Sequence, residues 1–473
     1  MNSAPHSTTK QNPEEFRDHI ATVNDEGKRV WIYPKKPRGR FYSGRTIISI
    51  ALLAIFFSGP FITINGHPFL LLNFAERKFY ILGVVFWPQD FHLFGLAFIT
   101  LIVFIVLFTA AFGRVFCGWV CPQTVFMEMV FRKIEYWIEG DAREQRKLSR
   151  APWTVKKAFK KITKHSVFYG ISFVVGNTFL AYFIGKDELF RVITDPFREH
   201  PGGLLAMVVF SFVFYGVFAW FREQACIMVC PYGRLQGVLL DENSIVVHYD
   251  FVRGEPRGKG KRTPGSRLGD CIDCNQCVEV CPTGIDIRNG TQLECVNCTA
   301  CMDACDNIMK KINKPKGLIR YASYNSIKQG RSKLINPRVI GYSAVLVVLV
   351  GLLSFLLATR APIETSVLRT PGIMYRELPD GYFRNLYNLR VVNKTYNEQE
   401  IRLELIQPGN GRLIMVGDLE IPADDLGQSA FFIDLPPQTV TGVKTPIVIE
   451  VYSNDKLLER VRTSFIGPDR REN

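Results

Sequence analysis

Five apolar stretches, each about 20 residues long, constrain this chain more than any other feature of its sequence. A helix of about 20 apolar residues is what crosses the hydrocarbon core of a bilayer. None of the stretches contains Lys or Arg, and a polar tail precedes the first. They lie at about Thr46–Ile64, Phe91–Phe112, Ser166–Gly185, Gly202–Phe221 and Val339–Thr359. We therefore expect a multi-domain membrane protein with five transmembrane α-helices and no cleavable signal peptide.

The distribution of positive charge decides between a nucleic-acid partner and a membrane topology. The 473 residues carry a formal charge of +14, which by itself favours binding to a polyanion. However, residues 1–45, 113–165 and 222–338 together carry +17, and the segments that alternate with them carry −3. Cytoplasmic loops of membrane proteins are enriched in Lys and Arg. The charge distribution therefore predicts a cytoplasmic N-terminus, a C-terminus outside, contact with membrane lipid and no nucleic-acid partner.

All 12 cysteines fall into four clusters, and two of these are long runs. Each run reads C-x-x-C-x-x-C-x-x-x-C, which is the spacing of bacterial two-cluster ferredoxins. In such a protein, three closely spaced thiolates bind three corners of a 4Fe–4S cluster, and the other run supplies the fourth ligand. One cluster should therefore be bound by Cys271, Cys274, Cys277 and Cys305, and the other by Cys281, Cys295, Cys298 and Cys301.

Zinc and disulfide bonds are the alternatives for these eight cysteines. Pairs of the form C-x-x-C also bind zinc, but neither run contains a histidine, which favours iron–sulfur clusters. Disulfides are rare in the reducing cytoplasm, where the charge distribution places this segment. The second run also departs from the usual pattern, because Asp306 rather than proline follows Cys305. Because of that departure, the sequence pattern does not determine the surroundings of one of the two clusters.

The remaining four cysteines form two C-x-x-x-C-P motifs, each directly after an apolar stretch. The flanking sequences FGRVFCGWVCPQTVF and WFREQACIMVCPYGRL resemble each other, which indicates an internal duplication. On one helix, residues i and i+4 share a face, and the proline favours a kink or a helix start at the second cysteine. If the two halves pack as partners, one site contains all four thiols, those of Cys117, Cys121, Cys226 and Cys230.

A site of four thiols has several possible uses. Soft thiolates favour Cu(I), zinc or an iron–sulfur group, and paired thiols also cycle between dithiol and disulfide. Simple packing of cysteines at helix ends is the structural alternative. Arg114 and Arg222, which precede the motifs, would lower the thiol pKa values or, as we expect, anchor the helix ends at lipid headgroups. Asp90 and His92, at the start of the second stretch, suit a quinone or proton site, but we expect interfacial residues that meet water.

The segment after the last apolar stretch has a different character. Short runs of alternating apolar residues, separated by Gly, Pro, Asn and Asp, predict an antiparallel β-sandwich of about seven strands. The basic stretch Arg253–Gly269 is rich in Gly and Pro and predicts a flexible linker. The predicted domains are a cytoplasmic tail (1–45), a four-span membrane core (46–235), a cytoplasmic ferredoxin-like insert (236–337), a fifth transmembrane helix (338–360) and an Ig-like domain (361–473).

At these residues the chain resembles the CcoG/FixG/RdxA family of cytochrome oxidase accessory proteins. The likeness covers nearly all of the chain: four spans with two C-x-x-x-C-P motifs, a two-cluster ferredoxin insert, a fifth span and an Ig-like tail. This combination is far more specific than the ferredoxin runs, which many proteins share. A weaker likeness, over the membrane core and the insert, is to NapH-type and NosR-type electron-transfer proteins. The resemblance implies a protein of the bacterial cytoplasmic membrane with its Ig-like domain in the periplasm.

The resemblance also implies an activity, that of a cupric reductase. Such an enzyme would reduce Cu(II) to Cu(I) for the copper centre of a cbb-type oxidase, with two 4Fe–4S clusters as cofactors. Its catalytic residues and copper ligands would be Cys117, Cys121, Cys226 and Cys230. The expected partners are a copper-transporting P-type ATPase or a copper chaperone, oxidase assembly factors and an unknown electron donor. The residues alone indicate only a membrane protein that moves electrons between cytoplasmic clusters and a thiol site. A quinol dehydrogenase that feeds a periplasmic reductase and a non-enzymatic assembly scaffold are the alternatives.

Overall fold

The computed structural model describes most of the chain and divides it into two compact units. It describes residues 21–468, apart from 25, 65, 75–76, 197, 259–267, 331–335, 371, 373, 418 and 454–455. The first 20 residues of the tail and most of the predicted linker therefore lie outside the described residues. The first unit comprises Met1–Ile62, Leu70–Glu76 and His92–Leu353, and the second comprises Thr63–Phe69, Arg77–Phe91 and Ser354–Asn473.

Helices make up most of the first unit. In chain order they are Arg40–Ser58 (α1), Phe91–Phe112 (α2), Val115–Trp119 (α3), Pro122–Thr124 (α4), Arg132–Ile138 (α5), Ala142–Arg150 (α6), Val155–Ile184 (α7), Lys186–Thr194 (α8), Pro201–Gly216 (α9), Pro231–Leu239 (α10), Phe251–Gly254 (α11), Gln276–Glu279 (α12), Ala300–Lys311 (α13), Tyr324–Gln329 (α14) and Pro337–Ala358 (α15). Short 3₁₀ turns occur at Gly59–Phe61, Pro88–Asp90 and Ile287–Asn289, and π-helical segments at Val125–Phe131, Val217–Phe221 and Ala225–Val229.

Five helices among the described residues are long and apolar enough to cross a membrane: α1, α2, α7, α9 and α15, with the short turns that extend them. They correspond to the five predicted stretches. The largest difference is at α7, which begins at Val155 rather than near Ser166, because the Thr154 hydroxyl accepts a hydrogen bond from the amide of Lys157 and caps a lysine-rich first turn. In α15 no side chain is buried, which suits a helix whose apolar surface is covered by lipid.

Small residues and stacked aromatic rings hold the helices of the first unit together. A Cβ atom on Gly176 of α7 would lie 3.6 Å from the Cα atom of Ser211 of α9, so the two helix backbones approach closely. Phe131, which is fully buried, stacks on Phe218 at 4.5 Å between ring centroids and meets Phe168 edge-on at 4.9 Å. These contacts pack the segment after the first C-x-x-x-C-P motif against α7 and the end of α9.

The strands form several small sheets and one sandwich. In chain order they are Thr63–Ile64 (β1), His67–Pro68 (β2), Leu70–Asn73 (β3), Lys78–Ile81 (β4), Val84–Phe86 (β5), Val246–Tyr249 (β6), Ile319–Ala322 (β7), Ile363–Arg369 (β8), Arg376–Glu377 (β9), Phe383–Asn393 (β10), Gln399–Gln407 (β11), Arg412–Met415 (β12), Glu420–Ile421 (β13), Leu426–Leu435 (β14), Lys444–Ser453 (β15) and Lys456–Ile466 (β16). Antiparallel β6 and β7 bring the two ends of the cysteine-rich insert together, with Val246 opposite Ala322.

The second unit contains the predicted sandwich, with more strands than expected. One sheet has the order β12-β14-β10-β8, with β9 beside β10, and the other has the order β13-β11-β15-β16. Long strands alternate between buried and exposed residues, and Tyr387, Phe431, Ile447 and Phe465 form part of a fully buried core. The prediction of about seven strands is two short of the nine found among the described residues, and two of those nine, β9 and β13, have only two residues each.

Asp90 lies in the second unit, in surroundings that differ from those predicted. The predicted interfacial contact with water is wrong, because the side chain of Asp90 is only 1% exposed. Its carboxylate accepts hydrogen bonds from Lys394 at 2.8 Å and from Arg360 at 2.6 Å. Lys394 is itself buried and also contacts Glu364 at 2.6 Å. The residue before α2 is therefore the centre of a buried ion cluster rather than a solvated helix end.

Candidate metal centres

The two ferredoxin runs surround two separate cavities. Cys271, Cys274, Cys277 and Cys305 line one cavity, whose other walls are largely apolar. A second cavity is lined by Cys281, Cys295, Cys298 and Cys301, and Cys277 also lines it. The last cysteine of each run thus lies with the first three of the other run. Each cavity offers sulfur ligands and no imidazole, and this donor set fits a 4Fe–4S cluster.

Local backbone geometry explains how one short run gathers three thiols. The residues on either side of the second cysteine of each run have left-handed backbone conformations: Asp273 and Asn275 in the first, Asn297 and Thr299 in the second. Asp and Asn tolerate this conformation better than most residues. The two turns have the same geometry in both runs, so the runs are structural repeats.

Burial keeps several of these thiols protonated until a metal binds. The pKa of Cys277, of Cys295 and of Cys305 is raised to about 12 in each case, mainly because burial disfavours the thiolate. A cationic iron–sulfur core offsets that cost, since metal ligands must be deprotonated. The cavities are therefore suited to bound metal rather than to free reactive thiols.

The four cysteines of the C-x-x-x-C-P motifs also converge. The pKa of Cys226 is raised to about 12, mainly by burial and also by the nearby thiols of Cys121, Cys117 and Cys230. The pKa of Cys117 is raised to about 11, again mainly by burial, and Gln236 of α10 donates a hydrogen bond to its sulfur at 3.3 Å. The structure thus places the four thiols within electrostatic range of one another, with no three of their sulfur atoms within 4.8 Å. We call this group the four-thiol site.

The helix geometry at the four-thiol site differs in part from the prediction. Cys121 and Cys230 each cap a helix that has the following proline as its first residue, which confirms the predicted helix starts. The two cysteines of a pair do not share one helix. The helix that carries Cys117 ends at Trp119, and Cys226 lies in a π-helical segment that ends at Val229. Each proline terminates the preceding helix, so the pair spans a break between two helices.

The four-thiol site lies directly against the second ferredoxin run. A Cβ atom on Gly118 would lie 2.6 Å from the carbonyl oxygens of both Val296 and Asn297, so the two backbones touch. The buried guanidinium of Arg45 donates to the carbonyl of Gly118 at 2.9 Å and to that of Cys298 at 3.0 Å. These contacts join a residue next to Cys117 to a ligand candidate of the second cavity.

Four further hydrogen bonds reinforce this junction. The indole of Trp119 donates to the hydroxyl of Tyr321 at 2.9 Å, and that hydroxyl donates to the carbonyl of Asn297 at 3.2 Å. Arg114 donates to the backbone carbonyls of Leu293, before the second run, and of Gly233 in α10. The junction is therefore held by buried hydrogen bonds on several sides of Gly118.

The predicted lipid-anchoring role of Arg114 and Arg222 is wrong. The two residues are 6% and 1% exposed, so neither reaches lipid headgroups. Arg114 bridges the thiol motif and the insert, and its charge lowers the pKa of Cys117, although burial outweighs it. Arg222 has a left-handed backbone (φ 55°) and donates to Glu135 at 2.6 Å. The sequence interpretation missed this burial because a basic residue at the end of an apolar stretch has the same neighbours in sequence whether it is buried or reaches lipid headgroups.

Glu135 is a structural residue that the sequence interpretation did not identify. Burial by itself would raise its pKa, but the charges of Arg222, Arg132 and Lys164 lower it to about 2. The ion pairs of Glu135 are 2.6 Å long to Arg222, 3.5 Å to Arg132 and 3.4 Å to Lys164. A signal was present, since Glu128, Glu135 and Glu139 recur at helical spacing after the first motif. This network fixes the segments that follow and precede the two motifs.

Comparisons with known proteins bear on these centres directly. A model for a 4Fe-4S dicluster domain matches residues 221–324, and a model for a 4Fe-4S binding domain matches residues 94–141. A model for the IG-like fold at the C-terminal of FixG matches residues 353–468. Protein RdxA of Cereibacter sphaeroides is 33% identical over 447 residues, which cover 89% of this chain and 93% of that protein. Its relative RdxB is 34% identical over 420 residues, which cover 84% and 87%. The chain belongs to the FixG/Rdx family.

Other members extend the comparison. The nitrogen fixation protein FixG of Rhizobium meliloti is 31% identical over 465 residues, which cover 86% of this chain and 87% of that protein. A crystal structure of a FixG-related protein from Vibrio parahaemolyticus covers 23% of this chain and 97% of its own, at 20% identity and a TM-score of 0.21. As a FixG/Rdx protein, the chain is an iron–sulfur electron-transfer protein with an Ig-like domain, and the five long apolar helices among its described residues suit a membrane location.

Proposed function

We propose that this FixG/Rdx protein is a membrane oxidoreductase that reduces Cu(II) to Cu(I) at the four-thiol site. The copper would serve assembly of the copper centre of a cbb-type oxidase, and it would pass to a P-type ATPase or a copper chaperone. The insert and the N-terminal tail are on the cytoplasmic side in this proposal, because the positive charge is concentrated in those segments. The Ig-like domain is then on the periplasmic side.

The contact of Gly118 with Val296 and Asn297 is the observation that carries the proposal. It puts the first thiol motif against the run that contains Cys295 and Cys298, with no side chain between the two backbones. When bound, 4Fe–4S clusters supply one-electron transfer. The role of Gly118, Arg45 and Arg114 is to hold the four-thiol site beside the cysteines of the second cavity, so that an electron has a short path between them.

The chemistry of four thiols favours copper in its reduced state. Reduction takes one electron and converts Cu(II) to Cu(I), with no bond broken in the protein. Thiolates are soft ligands that select Cu(I) over harder cations. Cys117, Cys121, Cys226 and Cys230 would therefore stabilise the product of the reaction. Since burial raises the pKa of Cys226 to about 12, binding of the ion releases protons from the thiols.

Stopped-flow mixing of the reduced protein with Cu(II) tests the proposal. The protein is purified without oxygen, its iron is counted, and a chelator with a coloured Cu(I) complex records the product. We expect Cys226→Ser/Cys230→Ser to lower the rate of Cu(I) formation at least tenfold with the iron content unchanged. The control is Met228→Leu, which changes the middle one of the three residues between the two cysteines but keeps both thiols.

Three results would each favour a different site, cofactor or activity. Full cupric reduction by the double variant, with its iron intact, would exclude the four-thiol site as the place of reaction. Loss of iron together with activity would assign an iron–sulfur cluster to the four-thiol site, to which the match over residues 94–141 also points. Oxidation of a quinol without any dependence on copper would favour the quinol dehydrogenase. In each case the iron count separates a change of chemistry from a damaged cluster site.

A further inference from the structure

One cysteine of the insert differs from the rest in its exposure. All 12 cysteines are among the described residues, and Cys274 is the only one of them that is exposed. It belongs to the cavity lined by Cys271, Cys277 and Cys305. The second cavity, by contrast, has no exposed cysteine and faces the four-thiol site through Gly118. The edge of the first cavity at Cys274 is therefore where a partner in solution comes nearest to the cysteine sites of the insert.

A basic cleft of about 990 Å³ lies close to this edge. It is formed by α6 and the chain segment before α1, and its basic residues are Lys35, Arg143, Arg146, Lys147 and Arg150. Only two acidic residues line it, Asp141 and Glu279. The arginines and Lys147 are exposed on α6, whose buried side consists of Ala142 and Gln145. An excess of positive charge thus covers a concave surface that is open to solvent.

Two backbone hydrogen bonds fix the cleft beside the insert. The amide of Lys35 donates to the carbonyl of Glu279 in α12 at 2.7 Å, and the amide of Lys36 donates to the carboxylate of Asp141 at 2.8 Å. The segment before α1 therefore ties α6 to α12, the short helix between Cys274 and Cys281. The basic side chains of α6 are held at a set place relative to the first cavity.

Arg146 connects the basic cleft to the exposed cysteine. Arg146 lines the basic cleft and also a second surface depression, whose wall includes Asp273 and Asn275. These two residues are the neighbours of Cys274 in the chain. The basic cleft therefore adjoins the exposed edge of the first cavity, although the depression between them is itself mixed in charge, with Arg146 and Arg288 beside Asp273, Glu279 and Asp286.

We propose that this cleft is the docking surface for an acidic one-electron carrier protein, which delivers electrons at the Cys274 edge. Oppositely charged surfaces steer association and set the orientation of the bound partner. Each docking event transfers one electron: the carrier is oxidised by one electron, the chain is reduced by one, and no bond forms or breaks. The inference rests on one part of the proposed function, the presence of 4Fe–4S clusters in the insert. It does not depend on copper.

Anionic lipid is the competing partner for a basic surface near a membrane. Lipid headgroups attract Trp at the ends of spanning helices, and Trp153, which is 77% exposed just before α7, marks such a place on this chain. The cleft instead opens between α6 and α12 of the insert, and it contains no exposed aromatic side chain. A concave basic surface that leads to a cysteine site suits a protein better than a flat layer of headgroups.

Binding of a purified flavodoxin, which is a small acidic one-electron carrier, tests the proposal on the full chain in detergent. We expect the variant Arg143→Glu/Arg146→Glu/Lys147→Glu to bind at least tenfold more weakly at low ionic strength, and binding of the wild type to weaken steeply with salt. A carbodiimide cross-link between Lys35 or Lys147 and a flavodoxin carboxylate should locate the contact. The matched control, Arg376→Glu/Arg390→Glu/Arg462→Glu, makes the same charge change on exposed residues of the sandwich and should bind like the wild type.

Reduction by dithionite, which needs no docking surface, checks that the clusters of the variant are intact. The variant should be reduced by dithionite, and should then reduce Cu(II), at wild-type rates, so failure of docking and failure of the proposed function are separate results. If the triple variant does not fold, Lys147→Glu alone replaces it. Unchanged flavodoxin binding by the variant would overturn the proposal. Loss of binding only to vesicles that contain anionic lipid, with flavodoxin binding retained, would assign the cleft to the membrane surface instead.

Discussion

The backbone of Gly118 touches the backbone of Asn297: a Cβ atom on the glycine would lie 2.6 Å from the asparagine carbonyl oxygen. Gly118 lies inside the first C-x-x-x-C-P motif, and Asn297 lies inside the second ferredoxin run. Only a residue without a side chain allows this approach. Arg45 secures it, because one guanidinium bonds to the carbonyls of Gly118 and Cys298. Two motifs that are far apart in the sequence thus form one structural centre.

Substitution of this glycine should separate the two sites without removing either. We expect Gly118→Ala to lower the rate of cupric reduction, since its Cβ atom would push the two backbones apart and lengthen the path of the electron. Iron content and the visible spectrum of the clusters should not change. Gly170→Ala is the control, because a Cβ atom there meets nothing within 4 Å. A wild-type rate for Gly118→Ala would mean that the close contact has no part in electron transfer.

The two cavities predict crossed binding of the clusters. Cys271→Ser/Cys305→Ser removes two thiols of one cavity, so this variant should keep about half of its cluster iron. Cys271→Ser/Cys281→Ser removes one thiol from each cavity and should lose iron from both. Iron analysis and low-temperature EPR of the reduced proteins measure the difference. If instead the second variant kept half of its iron and the first lost all of it, each run would bind its own cluster.

The ion network around Glu135 predicts a large and pH-dependent effect on stability. Glu135→Gln keeps the shape but leaves Arg222, Arg132 and Lys164 with too little negative charge, which should cost about 3–5 kcal/mol. Thermal unfolding in detergent, followed by tryptophan fluorescence, measures the loss. Glu188→Gln is the control, because its ion pair with Arg191 is exposed and worth at most about 1 kcal/mol.

The direction of the pH effect follows from the pKa of Glu135. That pKa is lowered from its ordinary value of 4.5 to about 2 in the folded protein, so the unfolded chain binds the proton more tightly. The stabilisation is therefore fully present above pH 4.5 and is lost as the pH falls from 4.5 towards 2. The wild type should lose its stability advantage over Glu135→Gln across this range. A constant difference down to acid pH would show that the charge of Glu135 is not what stabilises the fold.

Asp90 should be essential for the stability of the second unit. Asp90→Asn leaves the buried ammonium of Lys394 and the guanidinium of Arg360 without their shared carboxylate, at an expected cost of about 3–5 kcal/mol. Faster cleavage of the Ig-like domain in limited proteolysis is the measurement. Asp380→Asn, which removes an exposed ion pair with Arg412, should be cleaved at the wild-type rate. Equal cleavage of both variants would contradict a structural role for the buried cluster.

The long periodic features of the fold were predictable from the sequence. Apolar length alone located all five long helices, because a helix that crosses a bilayer must satisfy its own backbone and present apolar side chains over its full length. Alternation located the sandwich, since its long strands bury every second residue. The start of α7 was misplaced because its lysine-rich first turns are stabilised by a cap and by ion pairs, which apolarity does not record.

The functional centres were predictable only as sets of residues. Cysteine spacing identified both groups of four in the insert, and the duplicated motif identified the four-thiol site. The same sequence did not show that Arg114 and Arg222 are buried, that Asp90 pairs with Lys394, or that Glu135 collects three positive charges. Each of these findings depends on a partner that is distant in the chain. The local sequence around a charged residue is the same whether that residue is solvated or paired.

By itself, the sequence determined the spans, the two ferredoxin runs, the paired thiols and the all-β C-terminal domain, because each is encoded in local spacing or periodicity. Only the tertiary structure decided that Gly118 meets Asn297, that the last cysteine of each run joins the other cavity, and that a basic cleft leads to Cys274. The physical reason is the range of the interactions. Periodicity reports how one segment meets lipid, solvent or core, whereas these relationships arise where backbones distant in sequence pack in contact, and there a missing Cβ atom or one buried charge decides which segments can meet.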